Sequence, residues 1–312
     1  MSGFNVIQPG LLTLIQDAGR FGQHRIGLTN GGPLDTFAFN MANKLCQNHS
    51  NSTTLEVSIG GLVIEAKTHT YIALCGAQMP FKINGEQQEL WRTHKIKPGD
   101  KLDIGFAAAG ARAYLAVSNG FDVTPSFTST STVVRESIGG LNGAKLQKGD
   151  TLNCIQSTQG QLLALTSADI PQYPKHQTLR VILGYQQESF SSVQQRLFFS
   201  SEYKLSDQVD RMGFRLQGQK VTSTLNGILS EGICHGAIQV PADGQPIILM
   251  NDRQTIGGYP KIGSVIALDT AKLSQLMPHN TVNFEEISLE QAHNINHLAK
   301  QRFNNIELIS IS

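Results

Sequence analysis

No stretch of this chain approaches the roughly 20 apolar residues that a membrane-spanning helix needs. The amino-terminal segment also lacks the basic start, apolar core and cleavage site of a secretory signal. Cysteine is scarce: Cys46, Cys75, Cys154 and Cys234 lie far apart, without the close pairs of a zinc knuckle or the pattern of a secreted disulfide framework. We therefore expect a cytoplasmic protein with four buried, reduced thiols.

An excess of either charge is missing as well. The chain carries 25 basic and 24 acidic residues, a formal net charge of +1. A nucleic-acid-binding protein needs a net basic face, so we expect no nucleic-acid partner and, with no apolar span, no membrane partner. Hydrophobic residues make up 40% and charged residues 16% of the 312 residues, as in an ordinary soluble globular protein. The length favours two core-forming units, although a single large β-fold stays open.

Short catalytic motifs are absent too. The sequence has no phosphate-binding Gly-x-x-x-x-Gly-Lys-Ser/Thr loop, no Gly-x-Gly-x-x-Gly after a strand, no His-Glu-x-x-His and no Gly-x-Ser-x-Gly. These absences give little support to a self-contained nucleotide-binding, zinc or serine-hydrolase protein, and we predict no metal site on this chain. The Ala-Met-Lys-Met turn that carries biotin is also missing, so biotin is not expected on this chain.

What the chain has instead is many short strand candidates. Brief β-prone or apolar runs bounded by glycine, proline, asparagine or aspartate recur along it, and such runs are typical of strands. They are Tyr71 to Cys75, Ala113 to Val117, Leu179 to Leu183, Ile247 to Met250 and Val265 to Leu268. The pattern predicts a mostly-β protein.

Three helices are predicted at the edges of this β-rich pattern. The first follows a Gly-Gly-Pro sequence, where apolar residues recur at helical spacing and form one stripe. That stripe consists of Leu34, Phe37, Ala38, Met41, Ala42 and Leu45. The second helix begins near Asp269, which we take as its cap, and ends before Pro278. The third begins at Ser288, because Gln291 three residues later completes a capping box.

One segment is the best candidate for a domain boundary. Residues 167–178 contain two prolines and several polar residues, and they separate the last strand of the first half from the apolar run at Leu179. We therefore predict an N-terminal β subdomain over residues 1–170 and a C-terminal β subdomain over 176–286. A helical C-terminal tail is predicted over 287–312.

The most polar cluster lies within residues 229–263, around a predicted hairpin. Two apolar segments, Ala237 to Val240 and Pro246 to Met250, flank the sequence Pro-Ala-Asp-Gly-Gln, whose Asp-Gly pair suits a hairpin turn. The second strand runs into a segment in which two glycines and a proline forbid regular continuation, so the side chains just before them are held at the strand exit. Such a position suits a binding site.

We predict an amide-binding site from this cluster. Gln and Asp side chains complement an amide edge, which places a carbonyl acceptor beside an N–H donor, and Arg253 could stabilise negative charge on an attacked oxygen. The candidate residues are Gln239, Asp252, Arg253, Gln254, Thr255, Gly257, Gly258 and Tyr259. The alternative interpretation is a hydrogen-bonding network that only braces the mouth of a barrel.

A glycine-rich segment near the amino terminus is a second candidate for ligand contacts. Residues 16–35 hold Asp17, Arg20 and Arg25 among glycines, just before the first predicted helix. Glycines let backbone N–H groups approach a ligand, and a helix amino terminus favours an anion. Equally, Asp17 and Arg20 could pair only to pin a tight loop.

A third candidate segment, residues 206–218, concentrates charge. Asp210 precedes Arg211, and Arg215 follows four residues later. The planar fork of arginine can grip a carboxylate through two parallel hydrogen bonds, so Arg211 or Arg215 could hold an acidic substrate. Structural ion pairing is the competing account, and we favour it from the sequence alone.

Seven motifs together resemble the biotin-dependent carboxyltransferase or allophanate-hydrolase subunit 2 family. They occur in the same order as in that family, from about Phe4 to Glu286, and the long C-terminal motif is highly specific. They are QDAGRFGQ at Gln16, GGPLD at Gly31, MANKLCQN at Met41, LEVSIGG at Leu55, YLAVSNGFDV at Tyr114, SDQVDRMGFRLQG at Ser206 and GAIQVPADGQPIILMNDRQTIGGYPKIGSVIALD at Gly236.

The resemblance implies a mostly-β architecture of cyclophilin-like β-barrel subdomains with a few peripheral helices. It also implies a subunit that works with a separate B-type partner, because larger relatives fuse the two parts within urea carboxylase. This chain holds only the second part, so we expect it to be incomplete alone.

The leading hypothesis drawn from this resemblance is a subunit of an ATP-dependent 5-oxoprolinase, which opens the lactam of 5-oxo-L-proline to L-glutamate. The expected partners are a B subunit similar to allophanate hydrolase subunit 1 and an A subunit similar to LamB/YcsF, with ATP and Mg in the complex. We assign Asp252, Arg253, Gln254 and Tyr259 to catalysis, and Arg211 to the substrate carboxylate. The other predicted substrate-binding residues are Asp210, Gln239, Thr255, Gly257, Gly258 and Arg20.

Two alternatives stay open at this point. One is a biotin-dependent carboxyltransferase subunit that acts on a urea-like amide. The other is a non-catalytic antagonist of a kinase inhibitor, in which the polar cluster would be an interaction surface.

Overall fold

The computed structural model of this protein describes residues 3–311. Within them the chain forms two units. Unit 1 comprises residues 3–21, 31–173 and 306–311, and unit 2 comprises residues 22–30 and 174–305. One of the points at which the chain passes from unit 1 to unit 2, between residues 173 and 174, falls inside the predicted boundary segment, residues 167–178.

Both units consist mainly of short strands. Those of unit 1 are β1 (Gly3–Pro9), β2 (Leu12–Gln16), β3 (Thr54–Ser58), β4 (Leu62–Ala66), β5 (Thr70–Gln78), β6 (Phe81–Ile83), β7 (Glu86–Gln88), β8 (Thr93–Ile96), β9 (Lys101–Ile104), β10 (Ala109–Val117), β11 (Thr151–Asn153) and β12 (Leu163–Leu165). Those of unit 2 are β13 (His176–Leu183), β14 (Tyr203–Val209), β15 (Gly213–Gly218), β16 (Glu231–Gly232), β17 (Ala237–Gln239), β18 (Ile247–Leu249), β19 (Ile256–Gly257), β20 (Lys261–Val265) and β21 (Thr281–Glu286). The last strand, β22 (Leu308–Ser310), returns to unit 1.

Unit 1 is built from two antiparallel sheets. One has the strand order β11-β1-β4-β9-β6-β7 and the other β2-β3-β10-β5-β8. Side chains of both sheets share one core, for example Phe4 and Ile64 from the first and Leu74 and Leu115 from the second. The central strands β5 and β10 read as nearly continuous apolar runs because both of their faces are covered.

Unit 2 is a closed barrel of seven strands in the order β13-β20-β17-β18-β15-β14-β21. A parallel pairing of β13 with β21 closes it, in a register that places His176 opposite Thr281 and Val181 opposite Glu286. The other pairings in the barrel are antiparallel. A short ribbon of β16 and β19 lies outside the barrel sheet. The mostly-β fold class predicted from the sequence is confirmed.

Four α-helices occur in the described part of the chain: α1 (Thr36–Leu45), α2 (Ser192–Ser200), α3 (Ala267–Leu273) and α4 (Leu289–Asn305). The first predicted helix is confirmed as α1, and the Asp35 carboxylate caps it by accepting a hydrogen bond from the Ala38 N–H at 3.0 Å. The capping box of the third is confirmed as well, since Ser288 N–H donates to Gln291 Oε1 and Gln291 N–H donates to Ser288 Oγ.

Two predictions around the second helix are wrong. The strand predicted over Val265 to Leu268 is cut short, because β20 ends at Val265 and α3 begins at Ala267. Asp269 is not the cap, since it lies in the first turn of α3, fully buried, and accepts hydrogen bonds from Arg180 Nε and Nη2, both at 2.7 Å. An ion pair with an adjacent strand therefore fixes a carboxylate that the local sequence could not place.

The predicted C-terminal tail over 287–312 does not form one element. Helix α4 belongs to unit 2, where Ala292 packs against Ile266 and Ile287. Strand β22 belongs to unit 1 and pairs antiparallel with β12, Leu163 opposite Ser310. A pairing between strands this far apart in sequence has no local signal.

The prediction of four buried thiols is wrong for one of them. Cys46, Cys75 and Cys154 are buried, whereas Cys234 is exposed and its Sγ lies 3.1 Å from Ser264 Oγ. Among residues 3–311, no helix combines the length and the apolar character that crossing a membrane would require.

Candidate functional site

The predicted hairpin in unit 2 provides one wall of a cavity. Strands β17 and β18 pair antiparallel, as the sequence predicts, and the structure places Gln239 opposite Ile247. Gly244 in the turn adopts a φ of +76°, the left-handed conformation that the Asp-Gly pair was expected to supply. The side chain of Gln239, at the end of β17, is therefore held on a rigid frame.

A second turn, between β14 and β15, is tied to the end of this hairpin. Asp210 Oδ1 accepts hydrogen bonds from the N–H groups of Met212 and Gly213, at 2.8 and 3.0 Å. The Met250 N–H donates to the Met212 carbonyl at 2.8 Å, and the Asp252 N–H donates to the Arg211 carbonyl at 2.9 Å. These bonds bring two segments that are distant in sequence together at one end of the barrel.

A cavity of about 560 Å³ lies between these segments. This volume is within the range of ligand-binding pockets. Its lining residues are Asp207, Gln208, Val209, Asp210, Met212, Gly213, Arg215, Gln239, Ile247, Leu249, Arg253, Gln254 and Tyr259. Five of the predicted site residues, those at 210, 239, 253, 254 and 259, therefore meet around one space.

Arg211 and Asp252 form a buried ion pair beside this cavity. Arg211 Nε donates to Asp252 Oδ2 at 2.9 Å and Arg211 Nη2 donates to Asp252 Oδ1 at 3.0 Å, the two-pronged geometry of an arginine with a carboxylate. Each residue is 5% exposed, and neither is among the described residues that line the cavity. The guanidinium group of Arg211 thus binds a carboxylate of the protein itself. This is the structural ion pairing that we gave above as the alternative to binding of a substrate carboxylate.

Arg253 has a different environment from its neighbour. It is only 6% exposed, yet it lines the cavity. Its Nε donates to the Ile233 carbonyl at 3.1 Å and its Nη1 to the Met250 carbonyl at 3.2 Å, while Nη2 has no hydrogen-bond acceptor among residues 3–311. Burial lowers the pKa of Arg253, although an arginine stays charged at any physiological pH. The cavity therefore contains a nearly buried positive charge with an unused donor.

Gln239 offers the second unused polar group. It is 7% exposed, lines the cavity, and its side-chain amide makes no hydrogen bond to another described residue. A Cβ atom added to Gly257 would lie 2.7 Å from Gln239 Nε2 and would also overlap Ile233 Cδ1. Gly257 is therefore needed for the close approach of its backbone to the Gln239 amide.

The other charged side chains that line the cavity have polar neighbours of their own. Arg215 pairs with Asp243. Asp207 Oδ1 lies 3.3 Å from His279 Nε2, and Asp210 caps the turn described above. Of the two lining arginines, Arg253 alone has no carboxylate within ion-pair distance among the described residues.

His235 borders Arg253 and was not selected from the sequence. Burial, followed by the positive charge of Arg253, lowers the pKa of His235 to about 4, so its ring is neutral at pH 7. The ring makes a hydrogen bond with Asn251, and its buried Nε2 has no partner among the described residues. The Cys-His dipeptide at 234–235 gave the only sequence signal for this position.

The remaining predicted residues of the cluster shape the exit of the hairpin. The Thr255 carbonyl accepts a hydrogen bond from the Ile233 N–H at 3.0 Å, and the Gly258 carbonyl accepts one from the Ile228 N–H at 2.9 Å. None of Thr255, Gly257 and Gly258 is among the described lining residues. Their contribution is to the backbone that supports Gln239, Gln254 and Tyr259.

The glycine-rich segment near the amino terminus is organised as a structural clamp. The Asp17 carboxylate accepts hydrogen bonds from Ser129 Oγ at 2.6 Å, Ser131 Oγ at 2.7 Å and the Thr130 N–H at 2.8 Å. Arg20 is fully buried and its Nη2 donates to the Ser131 carbonyl at 3.0 Å. Both side chains hold the 126–131 loop of unit 1, and Arg20 is not among the described residues that line the unit 2 cavity.

Asp207, Gln208 and Arg215 complete the cavity wall. All three lie within the motif at Ser206, so the sequence marked the segment. Strand alternation would have shown that Asp207 and Val209 share one face, but it could not show which face borders a cavity.

Comparison with known families places the protein in one of them. A family model described as carboxyltransferase domain, subdomain A and B, matches residues 26–286. The chain belongs to this carboxyltransferase-domain family.

Two relatives that match over most of their length carry the same name. The chain is 37% identical over 290 residues to the C subunit of 5-oxoprolinase from Escherichia coli (strain K12), covering 92% of each chain. It is 34% identical over 280 residues to the C subunit of 5-oxoprolinase from Haemophilus influenzae, covering 89% of each.

Larger enzymes contain a similar unit. The structure of the Kluyveromyces lactis urea amidolyase superposes with a TM-score of 0.91 at 28% identity, over 100% of this chain. This chain covers only 20% of that enzyme, and 30% of the Kluyveromyces lactis urea carboxylase, which also superposes with a TM-score of 0.91.

Proposed function

We propose that this chain is a subunit of an ATP-dependent 5-oxoprolinase, in which it helps to open the lactam of 5-oxo-L-proline to L-glutamate. Two relatives that match over about nine-tenths of their length are named as the C subunit of 5-oxoprolinase. Such a name belongs to an enzyme of several subunits, and we propose a B subunit and an A subunit as partners. Because the reaction consumes ATP, we propose that the complex works in the cytoplasm.

The observation that carries the proposal is the cavity around Arg253. An amide is a poor electrophile because nitrogen resonance lowers the reactivity of its carbonyl carbon. Opening the lactam breaks the C–N bond, adds a water oxygen to the carbonyl carbon and leaves the nitrogen as an amine that takes up a proton. A positive group that is nearly buried, as Arg253 is at 6% exposure, stabilises negative charge on a bound ligand more than the same group in water.

Among residues 3–311, no three His, Cys, Asp or Glu side chains gather as a metal-binding group. The sequence also lacks the phosphate-binding loop of common nucleotide sites. We therefore assign ATP and Mg²⁺ to the assembled complex and derive no step through either on this chain.

Replacement of Arg253 by Ala tests the proposal. We expect the variant to abolish ATP-dependent glutamate release from 5-oxo-L-proline by the reconstituted complex, because the cavity loses its unpaired positive charge. Circular dichroism and thermal unfolding of the isolated variant show whether the fold is kept. Replacement of the exposed Arg302 of α4 by Ala is the matched control and should leave turnover unchanged. Unchanged turnover by Arg253→Ala would remove this residue from the mechanism.

Carboxyl transfer from biotin to a urea-like amide is the second candidate. The description of the family model and the superposition with urea carboxylase favour it. In that case a biotinylated partner protein should co-purify with the chain, and avidin should inhibit turnover. Glutamate release that persists in the presence of avidin would reject this candidate in favour of the first.

A further inference from the structure

We propose that Gln239 and Arg253 together select a cis amide that carries a negative charge, with Gln239 pairing to the amide edge and Arg253 holding the anion. This inference rests on the proposed function and specifies the substrate class of the same cavity. It also moves the anion-holding role from Arg211 to Arg253.

We assign the binding of the anion to Arg253 because the other two arginines, Arg211 and Arg215, already pair with carboxylates of the protein. Arg211 already makes both prongs of its fork to Asp252, at 2.9 and 3.0 Å. Arg215, the other arginine that lines the cavity, pairs with Asp243. Arg253 keeps Nη2 without an acceptor among residues 3–311, and no carboxylate of the described chain neutralises it. A buried charge without a partner is costly, and a bound carboxylate would supply the missing partner.

The side-chain amide of Gln239 is suited to a cis amide in particular. A primary amide presents an N–H donor and a carbonyl acceptor on one edge. A lactam or a ureido group, whose amide is cis, presents the complementary N–H and C=O side by side and can form two parallel hydrogen bonds with it. A trans amide presents these groups on opposite edges and can form only one of the two bonds. Gln239 is only 7% exposed, so its neighbours restrict its orientation before a ligand binds.

Gly257 keeps this recognition amide in place. Its backbone passes so close to Gln239 that an added Cβ would lie 2.7 Å from Nε2, tighter than real side-chain contacts allow. Gly257→Ala should therefore turn the Gln239 amide away from the position in which it can pair with a ligand. Gly232 lies on the partner strand of the same ribbon, and a Cβ added there meets open space. Gly232→Ala is the matched control.

The experiment measures binding to the complex without ATP, by isothermal titration calorimetry with three probes. 5-Oxo-L-proline carries both the cis amide and the carboxylate. Its lactone isostere, 5-oxotetrahydrofuran-2-carboxylate, keeps the carboxylate and the carbonyl but lacks the N–H donor. Pyrrolidin-2-one keeps the cis amide but lacks the carboxylate. We expect wild-type protein to prefer 5-oxo-L-proline to each of the other two by about tenfold or more, since each loses hydrogen bonds in a buried site.

The variants assign each preference to one residue. Gln239→Leu should remove most of the preference for lactam over lactone and keep the preference for the carboxylate. Arg253→Gln should do the reverse. Gly257→Ala should behave like Gln239→Leu, but more weakly. The controls Gly232→Ala and Gln217→Leu, the latter exposed on β15 of the same barrel, should bind as wild type does.

Three results would overturn the inference. The first is equal loss of affinity for all three probes in Gln239→Leu and in Arg253→Gln, which indicates collapse of the site without selective recognition. The second is wild-type protein that shows no preference among the probes. The third is that the variants keep both preferences; if the complex then releases glutamate, the inference fails while the proposed function stands. If the preferences are found but no glutamate is released, the site is correct and the assigned reaction is wrong.

Discussion

Two charges that are adjacent in sequence at the candidate site have opposite environments. Asp252 is neutralised by the two hydrogen bonds from Arg211, whereas Arg253 faces a cavity without a carboxylate partner among the described residues. A buried ion pair is costly to break, because removing one charge leaves the other desolvated and uncompensated. The pair therefore supports the segment that presents Arg253, whichever role Asp252 has in catalysis.

Asp252→Asn separates the structural role from the catalytic one. We expect it to lower the free energy of unfolding by about 3 kcal/mol, because Arg211 would stay buried without this countercharge. Urea unfolding followed by circular dichroism measures this. Asp243→Asn breaks the more exposed pair with Arg215 and should cost less than about 1 kcal/mol. If Asp252→Asn lost turnover while its unfolding free energy stayed at the wild-type value, Asp252 would act directly in the chemistry.

The candidate site shows which residues a sequence can reveal and which it cannot. The hairpin turn and the glycines after it identified Gln239, Arg253, Gln254 and Tyr259, and all of these line one cavity. The partner of Arg211 could not be predicted, because Asp252 is 41 positions away and the pairing depends on how the β14–β15 turn docks. Local sequence patterns therefore predict the positions of side chains next to turns. The formation of ion pairs between distant turns depends on how those turns pack together in the fold.

Among the helices and strands, local sequence was sufficient to predict the start of a helix where a capping side chain was present. Ser288 begins a helix as predicted, and Asp35 caps the helix that was predicted after the Gly-Gly-Pro sequence, because both side chains accept N–H groups that a first turn leaves unpaired. Helix α2 was missed, since its only buried residue is Phe198 and it has no apolar stripe to recognise. Strand β22 was missed because its partner β12 is distant in sequence.

Helix α4 should depend on its capping box. Only Ala292 of this helix is buried, so packing contributes little to its first turn. We expect Ser288→Ala to destabilise that turn by about 1 kcal/mol, since the Gln291 N–H loses its acceptor. Hydrogen exchange of the first-turn amides of α4 measures the effect.

The matched control for this helix is Ser192→Ala, one position after the Ser191 cap of α2. It removes a serine from a helix start without removing the cap, so exchange in α2 should stay close to wild type. Equal protection of the α4 first turn in Ser288→Ala and in wild-type protein would contradict the role of the capping box.

For the whole molecule, acid stability should reflect histidines that the fold keeps neutral. Burial, with the charge of Arg253, lowers the pKa of His235 to about 4, and burial also lowers the pKa of His94. When a pKa lies lower in the folded state, the unfolded chain binds more protons over the interval between the two values. The stability that each neutral ring contributes is therefore complete above the ordinary histidine pKa of about 6.5 and is lost as the pH falls.

We accordingly expect the free energy of unfolding to fall between pH 6.5 and pH 4, and His235→Gln to reduce this dependence, because glutamine takes up no proton. Urea unfolding at half-unit pH steps measures the slope for each protein. His293→Gln, at an exposed position of α4, is the control and should keep the wild-type slope. A wild-type slope in His235→Gln would mean that His235 binds protons equally in the folded and unfolded states, and would contradict the lowered pKa of this histidine.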